Sequence, residues 1–78
     1  MEIVPDQFLD LREFISPVAL LEFTKVFREL LPNQVVEILV GDLDMKKDLF
    51  KVLKAFSYEL LDVDEQETFC RIKLRKHT

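Results

Sequence analysis

The chain has 78 residues, of which 49% are hydrophobic and 33% charged, and its formal net charge is −4. This composition is typical of a folded globular protein and excludes a disordered one. The length allows one domain, residues 1–78, with an ordered core over about residues 8–76. A single cysteine excludes an internal disulfide and is typical of a reducing cytoplasm. No apolar run reaches the roughly 18–20 residues of a membrane span.

The first half of the chain predicts a strand, a helix and a second strand. Alternating residues over Phe8–Arg12 predict the first strand. A helix is predicted from Pro17 to about Leu31, with Ser16 as its N-cap and proline at its first position. The β-branched run Val35–Val40 predicts a buried strand. Residues at helical spacing form the apolar face of the helix: Ala19, Leu20, Phe23, Val26, Phe27, Leu30 and Leu31.

The second half of the chain predicts a helix followed by a hairpin. The helix is predicted over about Met45–Phe56, with Asp42 or Asp44 as its cap. Tyr58–Val63 and Thr68–Arg75 have strand patterns and are joined by an acidic turn. Because each helix has one apolar stripe, both helices can cover the same face of a sheet. The sequence therefore predicts an α+β two-layer sandwich of order β-α-β-α-β-β, with a four-stranded mixed sheet and both helices on one face.

Few residues offer reactive groups. Cys70 alternates with Ile72 and Leu74 in the last predicted strand, so it is expected to face the helices, buried and inert. His77 has no second histidine with which to share a metal ion, and no metal site is predicted. Ser16 has no general base near it in the sequence. No catalytic residue is predicted, and the protein is not expected to be an enzyme.

Several short motifs follow the pattern of one known family. In chain order they are Leu9–Arg12, Ser16–Leu20, Lys25, Pro32-Asn33, Asp42-Leu43, Asp48-Leu49, Ser57-Tyr58 and Leu74–Lys76. They resemble the TusA/SirA family of small sulfur carriers, in which a strand of the type LDLRGL is followed by Cys-Pro-x-Pro-Val at the start of a helix. The likeness runs from about Leu9 to Lys76 and implies the same two-layer sandwich.

Three positions depart from that family pattern. Ser16 stands where the family has its sulfur-carrying cysteine, Ala19 replaces the second proline, and Glu13 replaces a glycine. A serine hydroxyl cannot hold a persulfide and does not ionise at neutral pH without a base. The resemblance therefore implies a divergent member that keeps the fold and lacks the family cysteine.

The first functional hypothesis is a non-catalytic binding module that uses the opening of the first helix. Free N–H groups at a helix start carry partial positive charge and favour an anion. With apolar side chains beside them, these groups predict a binding site at Phe14, Ser16, Pro17, Val18 and Leu21. Proteins similar to this one occur alongside flavin- or thiol-dependent redox enzymes, so the resemblance implies a flavin nucleotide or a redox-enzyme partner.

Two alternatives remain open. Sulfur transfer with Cys70 in place of the missing thiol requires an exposed cysteine, which the strand pattern contradicts. RNA binding on the open face of the sheet would use Arg71, Lys73 and Arg75, but the negative net charge and the lack of interleaved aromatic residues argue against nucleic acid. The expected partner is a protein of a redox or sulfur-transfer pathway.

Overall fold

The computed structural model describes residues 4–77, and the two ends of the predicted domain, residues 1–3 and 78, lie outside the described residues. The elements are β1 (Gln7–Asp10), α1 (Ser16–Glu29), β2 (Val35–Val40), α2 (Leu43–Leu53), β3 (Tyr58–Glu65) and β4 (Cys70–Lys76). This order confirms the predicted β-α-β-α-β-β arrangement.

The four strands form one mixed sheet in the order β1-β2-β4-β3. β1 is parallel to β2, whereas β4 is antiparallel to both of its neighbours. The pairing of β3 with β4 is irregular between Leu60 and Asp62, where the register shifts. The last strand in the chain therefore lies inside the sheet, and β1 and β3 form its edges.

One hydrophobic core joins both helices to the sheet. The strand residues in this core include Val36, Ile38 and Val40 of β2 and Cys70, Ile72 and Leu74 of β4. Because side chains alternate between the faces of a strand, these residues all point to one side. The helix residues in the same core are Ala19, Phe23 and Phe27 of α1 and Met45, Leu49 and Leu53 of α2. Both helices therefore cover one face of the sheet, as predicted.

The end of α1 differs from the prediction. The helix ends at Glu29, and Leu31 is 64% exposed, so its placement on the buried face was wrong. The ammonium group of Lys76 closes the helix with three hydrogen bonds of 2.8–3.2 Å, for which the acceptors are the carbonyl oxygens of Phe27, Arg28 and Leu30. Asn33 then turns the chain at a φ of 73°, in the left-handed region that asparagine tolerates.

Local hydrogen bonds set several other boundaries. β1 ends at Asp10 rather than Arg12, because the carboxylate of Asp10 accepts from both the backbone and the guanidinium of Arg12. α2 begins at Leu43, because Asp42 Oδ1 accepts from the Met45 N–H at 2.7 Å, which confirms Asp42 as the cap. α2 ends at Leu53, three residues before its predicted end at Phe56. In the hairpin, β3 extends two residues beyond its predicted end, and β4 begins two residues later.

Candidate functional site

The opening of α1 corrects the predicted role of Ser16. The helix begins at Ser16, Ile15 occupies the cap position, and no side chain there accepts a hydrogen bond from the first turn. The Ser16 hydroxyl instead donates to Asp48 Oδ2, in the second turn of α2, at 3.0 Å. Ser16 is therefore half-buried and is not an N-cap, and Pro17 follows it as an exposed residue of the first turn.

A carboxylate already lies beside this helix opening. The negative charge of Asp48 opposes an incoming phosphate or carboxylate. Two clefts formed by the described residues, one at the hairpin and one at the far end of α1, are lined by none of the five residues predicted as a site. The hypothesis of an anionic ligand, and with it a flavin nucleotide, therefore finds no support at this position.

The five predicted site residues lie together where the chain enters α1, and we call them the helix-opening surface. Phe14 is 41% exposed, Val18 39% and Leu21 72%, so these three side chains lie outside the core. Ile15, which was not predicted, is 70% exposed beside them. A role for this surface in binding stays a prediction.

The larger cleft is formed by the end of β2, the start of α2 and the β3–β4 hairpin. Its volume is about 200 Å³, which is room for several water molecules of roughly 30 Å³ each. Cys70 is one of its lining residues and is 8% exposed. The predicted burial of Cys70 is confirmed, but its place beside a cleft was not predicted.

Charged groups surround the Cys70 thiol. Lys46 forms an ion pair with Glu65, which lies opposite Cys70 in the hairpin register. Burial raises the pKa of Cys70; the positive charge of Lys46 opposes this shift, whereas Glu65 and Asp64 add to it. The hydrogen bond to Glu65 raises the pKa of Lys46. Sequence analysis missed Lys46 and Glu65, because only the hairpin register and the packing of α2 bring them to the cysteine.

The open face of the sheet carries the cations considered for RNA binding. Arg71 and Lys73 lie 3.8 and 3.7 Å from the carboxylate of Glu37, and Arg75 lies 3.1 Å from Glu59. Each of these cations therefore has an acidic neighbour on an adjacent strand. A face whose cations are compensated in this way has little attraction for a phosphate backbone.

The part of the chain that the structure describes contains neither a metal-binding cluster nor a membrane-spanning helix. Within residues 4–77, no three His, Cys, Asp or Glu side chains are grouped so that they could hold a metal ion. No helix in the same range is long and apolar enough to cross a membrane.

Solved structures with the same fold include two bacterial proteins. A SirA-like protein of Desulfitobacterium hafniense superimposes with a TM-score of 0.71 at 17% identity, covering 92% of this chain and 99% of that protein. A Helicobacter pylori protein has a TM-score of 0.68 at 20% identity, covering 91% and 97% of the two chains. At these identities the likeness concerns the fold alone.

Sequence comparison extends the likeness beyond the fold. The family model of the sulfurtransferase TusA matches residues 7–76. A putative sulfur carrier protein of Archaeoglobus fulgidus is 31% identical over 68 residues, which are 87% of this chain and 93% of that protein. These matches confirm the resemblance drawn from the motifs, and the chain belongs to the TusA family of sulfur carriers.

Proposed function

We propose that this protein takes part in sulfur transfer as a carrier, and that Cys70 is the group that holds the sulfur. Membership of the family supports sulfur transfer over the anion-binding hypothesis. Ser16 cannot serve, because a hydroxyl does not hold a persulfide. Cys70 is the only thiol of the chain. The observation that carries the proposal is that Cys70, although it belongs to the core, is one of the residues that line an open cleft of about 200 Å³.

The reaction moves one sulfur atom between two thiols. The Cys70 thiolate attacks the terminal sulfur of a persulfide on a donor protein, so that a new S–S bond forms while the donor's S–S bond breaks. The proton of the Cys70 thiol goes to solvent, and the donor leaves as a thiolate that can take up a proton. No oxidant is consumed, since the transferred sulfur keeps its oxidation state. The protein acts as a stoichiometric carrier in this scheme, not as an enzyme.

A carrier must contact the protein that supplies or accepts the sulfur, and we assign that contact to the helix-opening surface. Phe14, Val18 and Leu21 supply exposed apolar area of the kind found at the centre of protein interfaces. Because β1 and β2 are parallel, α1 and α2 begin at the same end of the strands, and the Cys70 cleft also lies at that end. One partner can therefore cover the surface and the cleft together. A reducing cytoplasm, where a thiol stays free, is the expected location.

Sulfur loading from a cysteine desulfurase and radioactive cysteine tests the carrier role. The wild-type protein and Ser16→Ala should acquire label that a thiol reductant removes, whereas Cys70→Ala should acquire none. Because burial raises the pKa of Cys70, loading should speed up as the pH rises above neutral. Label that persists in Cys70→Ala, or wild-type protein that stays unlabelled at mildly alkaline pH, would refute the proposal.

The partner contact can be tested with a leucine that lies outside the cleft. Leu21→Glu should slow sulfur transfer from the donor protein about tenfold, the equivalent of roughly 1.4 kcal/mol of lost binding. Leu31→Glu is the matched control, since this leucine is 64% exposed at the other end of α1. Equal effects of the two variants, or none from Leu21→Glu, would count against the helix-opening surface.

A further inference from the structure

Lys46 and Glu65 face each other at the cleft that Cys70 lines, one from α2 and one from the end of β3. We infer that Lys46 is a positioning residue for sulfur transfer: it is the counter-ion for anionic sulfur on Cys70, and Glu65 competes for it. This inference rests on the proposed function and adds to it the group that stabilises the reactive form of the thiol.

The two members of the ion pair differ in exposure. The side chain of Lys46 is 20% exposed, whereas that of Glu65 is 66% exposed. Glu65 is also the residue paired with Cys70 across the hairpin. Lys46 is therefore the less exposed member of the pair, and it lines the same cleft as Cys70.

This difference in exposure decides which partner the ammonium prefers. An ion pair with a largely exposed carboxylate is weak, because water solvates the carboxylate nearly as well. A thiolate or persulfide anion in the cleft has less water around it and gains more from a nearby cation. Lys46 therefore pairs with Glu65 while Cys70 is a neutral thiol. Once the sulfur of Cys70 carries a negative charge, Lys46 pairs with that sulfur instead.

No other cation can take this role among the residues that line the cleft. Lys46 is the one basic residue in that lining. β2 contributes Val40 opposite Cys70, and the side chain of Arg71 lies on the open face of the sheet with Glu37. The other charged residues of the lining are acidic, namely Asp42, Glu65 and Glu67, while the guanidinium groups of Arg12 and Arg71 lie 5.3 and 5.9 Å from the centre of the Phe69 ring.

Alkylation of Cys70 by iodoacetamide, measured as a function of pH, tests the inference. This reagent is neutral, so its own charge does not change its access. Lys46→Gln should raise the midpoint of the pH profile, and Glu65→Gln should lower it. Each change should alter the rate at pH 7 by about 3- to 10-fold, the effect of a nearby charge that is partly exposed to solvent. The double variant should have a midpoint between those of the two single variants, because the charge of Glu65 also acts on the thiol directly.

The shape of the pH profile distinguishes an effect of charge on the Cys70 thiol from an effect on the reagent's access to the cleft. If the ion pair merely blocked the cleft, the variants would change the plateau rate at high pH and leave the midpoint unmoved, which would overturn the inference. Lys47→Gln is the control, since this exposed neighbour lies outside the cleft lining, and it should leave the profile unchanged.

The alkylation assay needs no sulfur donor, so it can fail independently of the carrier role. Shifted midpoints without sulfur loading would refute the carrier role alone. Sulfur loading with unmoved midpoints would refute the role of Lys46 alone. A Cys70 that does not react at any pH at which the protein is folded would overturn both.

Discussion

Ser16 joins two helices through one side chain. Its place near the start of α1 follows from the sequence, since serine next to proline is typical of a helix opening. Its hydrogen-bond partner cannot be predicted from the sequence, because Asp48 is 32 residues away and helical periodicity does not show which residues of two helices are in contact. The hydrogen bond to a charged acceptor is a strong one and fixes the two helix openings relative to each other.

The same contact predicts the behaviour of a thiol placed at this position. In a Cys70→Ala background, Ser16→Cys introduces a thiol next to the carboxylate of Asp48, which should raise the pKa of that thiol. Adding Asp48→Asn removes the negative charge and leaves the helix opening to favour the thiolate. We expect the pair of changes to speed alkylation at pH 7 about 3- to 10-fold over Ser16→Cys.

Asp44→Asn provides the comparison, because this exposed residue also lies near the start of α2 and has no hydrogen bond to Ser16. If Asp44→Asn and Asp48→Asn gave equal rates of alkylation of the thiol at position 16, the carboxylate of Asp48 would have no effect on that thiol.

At the scale of elements, α1 depends on a distant strand for its end. The ammonium group of Lys76 donates to three carbonyl oxygens there and lies 5.6 Å from the centre of the Phe27 ring. Lys76→Met should lower the free energy of unfolding by roughly 2 kcal/mol, because part-buried carbonyls lose a charged donor. Denaturant titration measures this, and Lys47→Met, at an exposed position of α2, should stay within about 0.5 kcal/mol of wild type. Equal losses of unfolding free energy in the two variants would show that Lys76 does not stabilise the end of α1.

The types of the elements could be predicted because each depends on local spacing. The alternation of Cys70, Ile72 and Leu74 and the helical stripe of α1 were sufficient to place the core. The ends could not be predicted where another element supplies the partner, as Lys76 of β4 does for α1. The same limit applies to the site: the burial of Cys70 follows from its strand, but its neighbour Lys46 depends on how α2 packs.

At the scale of the whole molecule, the single core predicts cooperative unfolding, in which both helices and the sheet unfold together. The ring of Phe27 lies with its centre 5.4 Å from that of Phe23 and 5.2 Å from that of Phe56. Phe27→Ala should cost roughly 3–5 kcal/mol. A domain of 78 residues has about 4–12 kcal/mol in all, so this variant should lose a large part of its stability and unfold at a much lower denaturant concentration than the wild type.

Circular dichroism in the far and near ultraviolet should show one shared transition for the Phe27→Ala protein. Leu21→Ala, on the exposed side of the same helix, should unfold at nearly the wild-type denaturant concentration. Separate transitions for secondary structure and side-chain packing would mean that the helices and the sheet do not share one core.

The position of β4 has a consequence for the growing chain on the ribosome. β4 is synthesised after the other five elements, yet it lies between β2 and β3. Until residues 70–76 emerge, β3 has no neighbour in the sheet and β2 has only β1. Unpaired strand edges of this kind are prone to join other chains. The sheet is therefore completed only once β4 has emerged, and the period before that is when a chaperone would protect this protein most.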